Sequence, residues 1–370
     1  MDYLDYASLI ALVLDKKVYV HNFNCPLHYC VQSEFLHLLK EKGFKNAPHE
    51  ELLVDIENRD FVKVDTNLSG YGIGIFTTMT LEQIESFYSV AIKRKYMNQY
   101  VHIHENMCQM SNKLGEVTYE EIIDSLPSYA INILDKSLWG YEDFCNKYKS
   151  YNFTNTLGIM LYGPPGIGKT FLLRSYLNRL IQERNFTVIQ IYPDALNNVN
   201  FSLLLESCKH LFPCILFIED IDLYFKDRKV IGPKNLTGAM LQTFDGLSKV
   251  DNVVLIATTN NVDIVEKALL RPGRIDYAIQ MKRPVKKNIE KLLDKYIGDL
   301  DFEFPDTLKT VLVDNVETYA ELNGAYQHIV RSYLSDSSFP KETEIIKLIS
   351  QWKDTRSNSF FDDKNSKVGF

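Results

Sequence analysis

The stretch LYGPPGIGKT, residues 161–170, constrains this chain more than any other. It fits G-x-x-x-x-G-K-[ST] and follows the apolar run LGIMLY. After it comes a segment whose Leu172, Leu173, Tyr176, Leu177 and Leu180 share one helical face. Gly163, Gly166 and Gly168 let the backbone curl so that successive amides point inward, where side chains would obstruct. The following helix aims its N-terminus at the enclosed anion. Lys169 is placed to reach β- and γ-phosphates, and the Thr170 hydroxyl to ligate Mg²⁺. Pro164, Pro165, Ile167 and Phe171 belong to the same phosphate-binding segment. From average residue usage, such a match arises by chance about once in a hundred chains of this length. The strand before and the helix after make chance a poor explanation.

From residue 155 onward, the apolar runs LGIMLY, FTVIQIY, PCILFI and VVLIA alternate with helical segments, the pattern of a buried parallel sheet with crossover helices. Ligands of such sheets lie at the carboxyl ends of the strands. CILFIEDID (214–222) ends there in carboxylates, which puts Glu219 and Asp220 beside the glycine loop. Glu219 is expected to hold Mg²⁺ through water, and Asp220 to orient or polarise an attacking water. VLIATTN (254–260) ends in Asn260, suited to bond the γ-phosphate or that water. Alone, the acids would be a strand meeting its loop and Asn260 a turn residue. Some fifty residues after Lys169, the set points to phosphoryl chemistry.

At this point the residues carry a resemblance. GPPGIGKT, ILFIEDID, the segment ending in TFDGL (243–247), VVLIATTN and ALLRPGRID stand in the order and spacing of the AAA family of ATPases, which residues 155–335 resemble. The resemblance implies a P-loop NTPase fold: an αβα sandwich on a parallel five-stranded sheet, with a C-terminal helical lid. It implies Mg²⁺-dependent hydrolysis of ATP to ADP and phosphate. Gly324 and Ala325, in NGAYQHIV, match the lid segment that packs against nucleotide. In this family the arginines of RPGR, here Arg271 and Arg274, serve a neighbouring subunit's site. That suits the chemistry. One chain supplies cradle, metal ligand and water positioner, but no positive charge on the outer face of the transferring phosphoryl group, and an arginine finger given in trans supplies it. A closed homo-oligomer of six or seven copies is the expected assembly.

Most members read Asp-Glu at the acidic pair, whereas this chain reads Glu-Asp. That order is similar to the mitochondrial cytochrome bc complex assembly ATPases, which move a folded iron–sulfur subunit across a membrane. Residues 72–105 also resemble that group's own domain. Two departures stand out. The chain opens Met1-Asp2-Tyr3-Leu4-Asp5, and its apolar stretch ASLIALVL (7–14) is far short of the ~20 residues a spanning helix needs. No glycine lies between Gly168 and Gly232, so an aromatic-aliphatic-Gly pore loop is missing and threading of an unfolded polypeptide is not expected.

The domain reading is as follows. Residues 1–115 form an N-terminal α+β domain without an assigned role, with FVKVD, YGIGIFTTM and YVHIH as strands and LEQIESFYSVAIKRKY as a helix. Residues 116–150 form a helical linker, 151–284 the nucleotide-binding α/β domain, 285–353 the helical lid and 354–370 a polar tail. Cys25 and Cys30, with His21 and His28, have irregular spacing for zinc and no second ligand pair follows. The six cysteines read as reduced thiols of a soluble, intracellular, cytoplasmic protein. Abundant Asn, Ile, Lys and Tyr is a composition that AT-rich genomes produce, those of large viruses and protists included.

Three functions follow. The leading one is an ATPase ring, chaperone-like, that remodels or translocates an unidentified protein client. The second is a nucleic-acid-dependent motor using the basic loop 226–234, with Lys226, Arg228, Lys229 and Lys234 against Asp227. The net charge of −7 speaks against it. The third is a platform that binds nucleotide without turnover, which the full set of catalytic side chains disfavours.

Overall fold

The computed structural model describes residues 17–46, 52–55, 57–65, 72–104, 107–111, 123–149, 156–192, 201–224, 253–261, 265 and 274–365. The chain falls into two compact units, residues 1–114, 138–161 and 177–278 in one, and 115–137, 162–176 and 279–370 in the other.

The first unit opens with an antiparallel sheet of β1 (Tyr19–Asn24), β2 (Lys45–Asn46), β3 (Leu52–Asp55), β4 (Asp60–Asp65) and β5 (Gly72–Thr77) in the order β1-β5-β4-β3-β2. With it come helices α1 (Pro26–Cys30), α2 (Gln32–Glu41) and α3 (Leu81–Tyr96). A capping box starts α3: Thr80 N–H donates to Gln83 Oε1 at 2.8 Å and the Thr80 hydroxyl accepts from Gln83 N–H. Period-3.6 burial of Ile84, Tyr88, Ala91 and Ile92 turns one face of α3 inward, where Tyr88 stacks on Phe35 of α2 with centroids 4.2 Å apart. Of the thiols and imidazoles that lie close in sequence, His21 has a partner of its own, while Cys25 and His28 share one. His21 Nε2 lies 3.1 Å from Met79 O. Cys25, its thiol pushed up to about 11 by burial, and His28, pushed down to about 4 by burial, both face Ser207.

The second sheet comprises β6 (Tyr100–His104), β7 (Met107–Ser111), β8 (Thr156–Tyr162), β9 (Thr187–Ile191), β10 (Cys214–Ile218), β11 (Val253–Thr259) and β12 (Tyr277–Gln280), in the order β12-β8-β11-β10-β9-β6-β7. Strands β9, β10 and β11 are buried along their whole length and pair in parallel. Among the described residues this sheet has seven strands and is mixed, two more than the five-stranded parallel sheet expected. β6 pairs in parallel with β9, and β7 returns antiparallel on β6. The expected boundary at 115 therefore does not separate the sheets, since both added strands precede it. YVHIH reads as a strand in sequence, but alternation does not say which edge a strand joins. Here it covers β9, which would otherwise expose a row of unpaired backbone groups.

Between β8 and the segment entering β12 there is no room for a side chain. Gly158 N–H donates to Asp276 Oδ2 and Asp276 N–H to Gly158 O, both at 2.8 Å. A Cβ on Gly158 would lie 1.8 Å from Arg274 O. Gly158→Ala therefore forces this segment off the sheet edge. We expect a loss of about 3 kcal/mol in urea unfolding, a large share of the ~5–15 kcal/mol that holds a domain folded.

The remaining helices are α4 (Ser128–Leu134), α5 (Tyr141–Lys149), α6 (Lys169–Arg184), α7 (Phe201–Cys208), α8 (Lys286–Gly298), α9 (Asp306–Asn315), α10 (Tyr319–Asp336) and α11 (Glu342–Asn365). In the second unit α8 to α11 bury Ile289, Leu292 and Leu293, Leu308 and Leu312, Leu322 and Ile329, and Ile345 and Ile349 against one another. Val285 is the N-cap of α8 and stays exposed. The tail expected from 354 is instead helical to Asn365. Residues 342–365 contain neither Gly nor Pro, so nothing in them interrupts a helix once its first turns are packed. Among the described residues no helix is long and apolar enough to cross a membrane.

Candidate active site

In the second unit, β8 runs out into the glycine loop and α6 begins at Lys169. Gly163, Gly166 and Gly168 have φ of 151°, 79° and 88°, the left-handed half of backbone space that other residues rarely enter. Ile167 is buried, Pro164 and Pro165 stand exposed at the tip, and Thr170 and Phe171 are half-buried in the first turn of α6. The Lys169 ammonium is buried and donates to Gly163 O at 2.8 Å and Pro164 O at 2.9 Å. The donor set fits a phosphate. It combines a curled backbone, the first turn of a sixteen-residue helix, a cation bent over the loop and a hydroxyl at the next position.

The start of α10 packs on that loop. Thr318 is its N-cap and accepts from Glu321 N–H at 3.2 Å; Ala320 N–H donates to Gly166 O at 3.1 Å. The Tyr319 ring lies where a Cβ on Gly168 would go, 2.8 Å from Cδ2. Its hydroxyl donates to Ser125 O, and burial pushes its phenol up to about 12. Gly324 lies a turn further on against Trp352, where a Cβ would meet the indole at 3.0 Å, and Ala325 is fully buried. Thr318, Tyr319 and Ala320 of the helix start thus lie nearest Gly166 and Gly168, and the Gly324-Ala325 pair, matched to the segment that packs against nucleotide, lies a turn further on. Gly324 does line a cavity of about 350 Å³ together with Pro165, Gly166, Thr318, Ala320 and Trp352.

The first unit carries the acids. β10 stops at Ile218, and Glu219 and Asp220 follow, both half-buried. Asp220 has φ 45°, a left-handed conformation that Asp tolerates better than most residues. Its N–H donates to Thr258 Oγ1 at 2.9 Å, and its Oδ1 accepts from Asn260 Nδ2 at 3.0 Å. Asn260 itself is fixed by Asp222, which is buried and accepts from Asn260 N–H at 3.1 Å and the Thr259 hydroxyl at 2.8 Å. Glu219 Oε2 accepts from Gln190 Nε2 at 2.7 Å. The parallel register explains the grouping. Ile218 lies opposite Ala257, so the residues just beyond β10 and β11 emerge side by side. Of the sequence-predicted residues, Asp220 and Asn260 are brought into contact; Asp222, Thr258 and Gln190, which hold Asn260, Asp220 and Glu219, were not picked out in the sequence.

Arg274 is half-buried in the turn before β12, its carbonyl held against Gly158. Gly158 lies about 13 Å along β8 from Tyr162, at ~3.3 Å per residue. Arg271, the basic loop 226–234 and the TFDGL segment lie outside the described residues.

A glycine loop between strand and helix, with acids and an amide at the next strand ends, defines the class of P-loop nucleotide-binding α/β domains. Residues 159–283 match the family described as "ATPase family associated with various cellular activities (AAA)", so this part of the chain is similar to an AAA ATPase domain. The chain is 29% identical over 171 residues to a Corynebacterium glutamicum protein named "AAA ATPase forming ring-shaped complexes", covering 41% of this chain and 32% of that one. It is 32% identical over 151 residues to the "Cell division cycle protein 48 homolog" of Archaeoglobus fulgidus, 38% of this chain and 20% of that one. A "Putative cell division cycle ATPase" of Plasmodium falciparum matches at 31% over 156 residues, 40% of this chain and 12% of that one. The chain spans about a third or less of the length of these relatives.

Proposed function

We propose that this chain hydrolyses ATP as a closed ring of identical subunits and uses the cycle to remodel or move a protein client. The observation that carries the reading is the pair of Asp220 and Asn260. A carboxylate in a left-handed turn, bonded to an amide at the next strand end, is a built arrangement for holding and polarising a water. In the reading, the loop amides and Lys169 take the phosphate oxygens, Lys169 exchanging the carbonyls of Gly163 and Pro164 for them. Thr170 and Glu219 hold Mg²⁺, which when bound neutralises charge on the β- and γ-phosphates. Asp220 accepts hydrogen-bond density from the attacking water, and Asn260 fixes its direction.

The ring rests on two supports. One relative carries ring formation in its name. And the backbone of Arg274 is pinned well back along β8 rather than at its carboxyl end, which suits a guanidinium serving another copy. Arg271 on the same Pro-Gly turn shares that role. The Glu219-Asp220 order, similar to the cytochrome bc complex assembly ATPases, favours a folded client over an unfolded polypeptide. Assembly is the direct test. With a non-hydrolysable ATP analogue and Mg²⁺, light scattering should give six or seven times the single-chain mass. A single-chain mass at saturating analogue would overturn the ring.

A further inference from the structure

Glu219 is held by a line of two buried side chains from β9 and β6. Gln190, in the middle of β9, is 1% exposed, and Tyr100, the first residue of β6, is likewise 1% exposed. The Tyr100 hydroxyl donates to Gln190 Oε1 at 2.9 Å, and Gln190 Nε2 donates to Glu219 Oε2 at 2.7 Å. The register makes the line: Val188 lies opposite Tyr100, Gln190 lies opposite Phe217, and residues two apart share a face.

The line also has a direction. A glutamine amide can be turned end for end and a phenol hydroxyl can donate or accept, but a carboxylate at 2.7 Å takes only the N–H end. With Nε2 on Glu219, Oε1 is left to accept from the Tyr100 hydroxyl. Turned the other way, the amide would set one oxygen against another in a buried site. A short N–H···O contact from a buried amide fixes the orientation of the carboxylate that accepts it. We infer that Tyr100 and Gln190 are positioning residues for the metal-binding carboxylate. The added strand β6 thereby fixes the orientation in which Glu219 meets Mg²⁺. This rests on the proposed nucleotide reading of the site.

The experiment uses the full chain and Mn²⁺ as a probe for Mg²⁺. Mn²⁺ binding is followed by electron paramagnetic resonance with a non-hydrolysable ATP analogue present, and metal-free ADP binding is followed by a fluorescent analogue. Gln190→Leu should weaken Mn²⁺ binding by about 10–100-fold, the usual effect of losing an outer partner of a metal ligand, and leave metal-free ADP binding unchanged. Tyr100→Phe, which removes one oxygen and no packing, should shift Mn²⁺ binding in the same direction by less. Metal-free ADP affinity at the parent's value in both variants separates loss of the metal ligand's support from a loosened core. Mn²⁺ binding equal to the parent in both Gln190→Leu and Tyr100→Phe overturns the inference while the nucleotide reading stands. A parent chain that binds neither Mn²⁺ nor nucleotide overturns the reading itself.

Discussion

Replacing Asp220 by Asn slows ATP hydrolysis by about 10²–10⁴-fold, the range that a positioned acid or base supplies, while Mg²⁺-ATP stays bound. The substitution is nearly silent for the fold. Asn is as tolerant of a left-handed φ as Asp, the backbone N–H keeps its bond to Thr258, and the side-chain oxygen can still accept from Asn260. What is lost is the charge that draws a proton from water. Single-turnover assays with labelled ATP, beside a melting curve matching the parent, make the measurement. Turnover at the parent's rate removes Asp220 from the chemistry. The arrested form is also the one in which a client should stay attached long enough to identify.

The second large effect is expected from Arg274→Ala. A finger lent across a subunit boundary contributes about 10³–10⁵ in kcat, so the variant should bind ATP and assemble yet hardly turn over. The decisive result comes from mixing. Arg274→Ala subunits have intact acids, and Asp220→Asn subunits have intact arginines. Where the two alternate in one ring, an Asp220→Asn neighbour completes an Arg274→Ala site. Activity should therefore reappear in a mixture of two proteins that are each inactive. No recovery in mixed rings would mean that the guanidinium acts within its own chain. Arg271→Ala, run in parallel, tells which of the two arginines carries the effect.

How much of this could be read beforehand depended on how local each feature is. The glycine loop was legible because its backbone conformation dictates its residues: three left-handed positions admit little but glycine. The acids and Asn260 were legible because a parallel sheet delivers its strand ends to one edge. What the loop touches was not. Tyr319 and Ala320 lie some 150 residues downstream in an ordinary helix start, with nothing in their residue types to mark the contact. Asp222, Thr258 and Gln190 were missed because each is a common polar residue whose partner is set only by strand register. The extra strands were missed for the same reason. YVHIH carries its own alternation but no mark of its neighbour.

The place of β6 in the second sheet also bears on how the chain comes into being. During synthesis YVHIH emerges long before the segment that holds Thr187–Ile191, the strand it finally lies beside. Parallel pairing across so many intervening residues closes late and slowly. Until then, an apolar ribbon waits with its hydrogen-bonding edge open to other nascent copies. A fragment starting after residue 115 would inherit the opposite defect, a central strand turned into a raw margin. The amino-terminal hundred residues thus cannot be treated as a detachable module of the catalytic half.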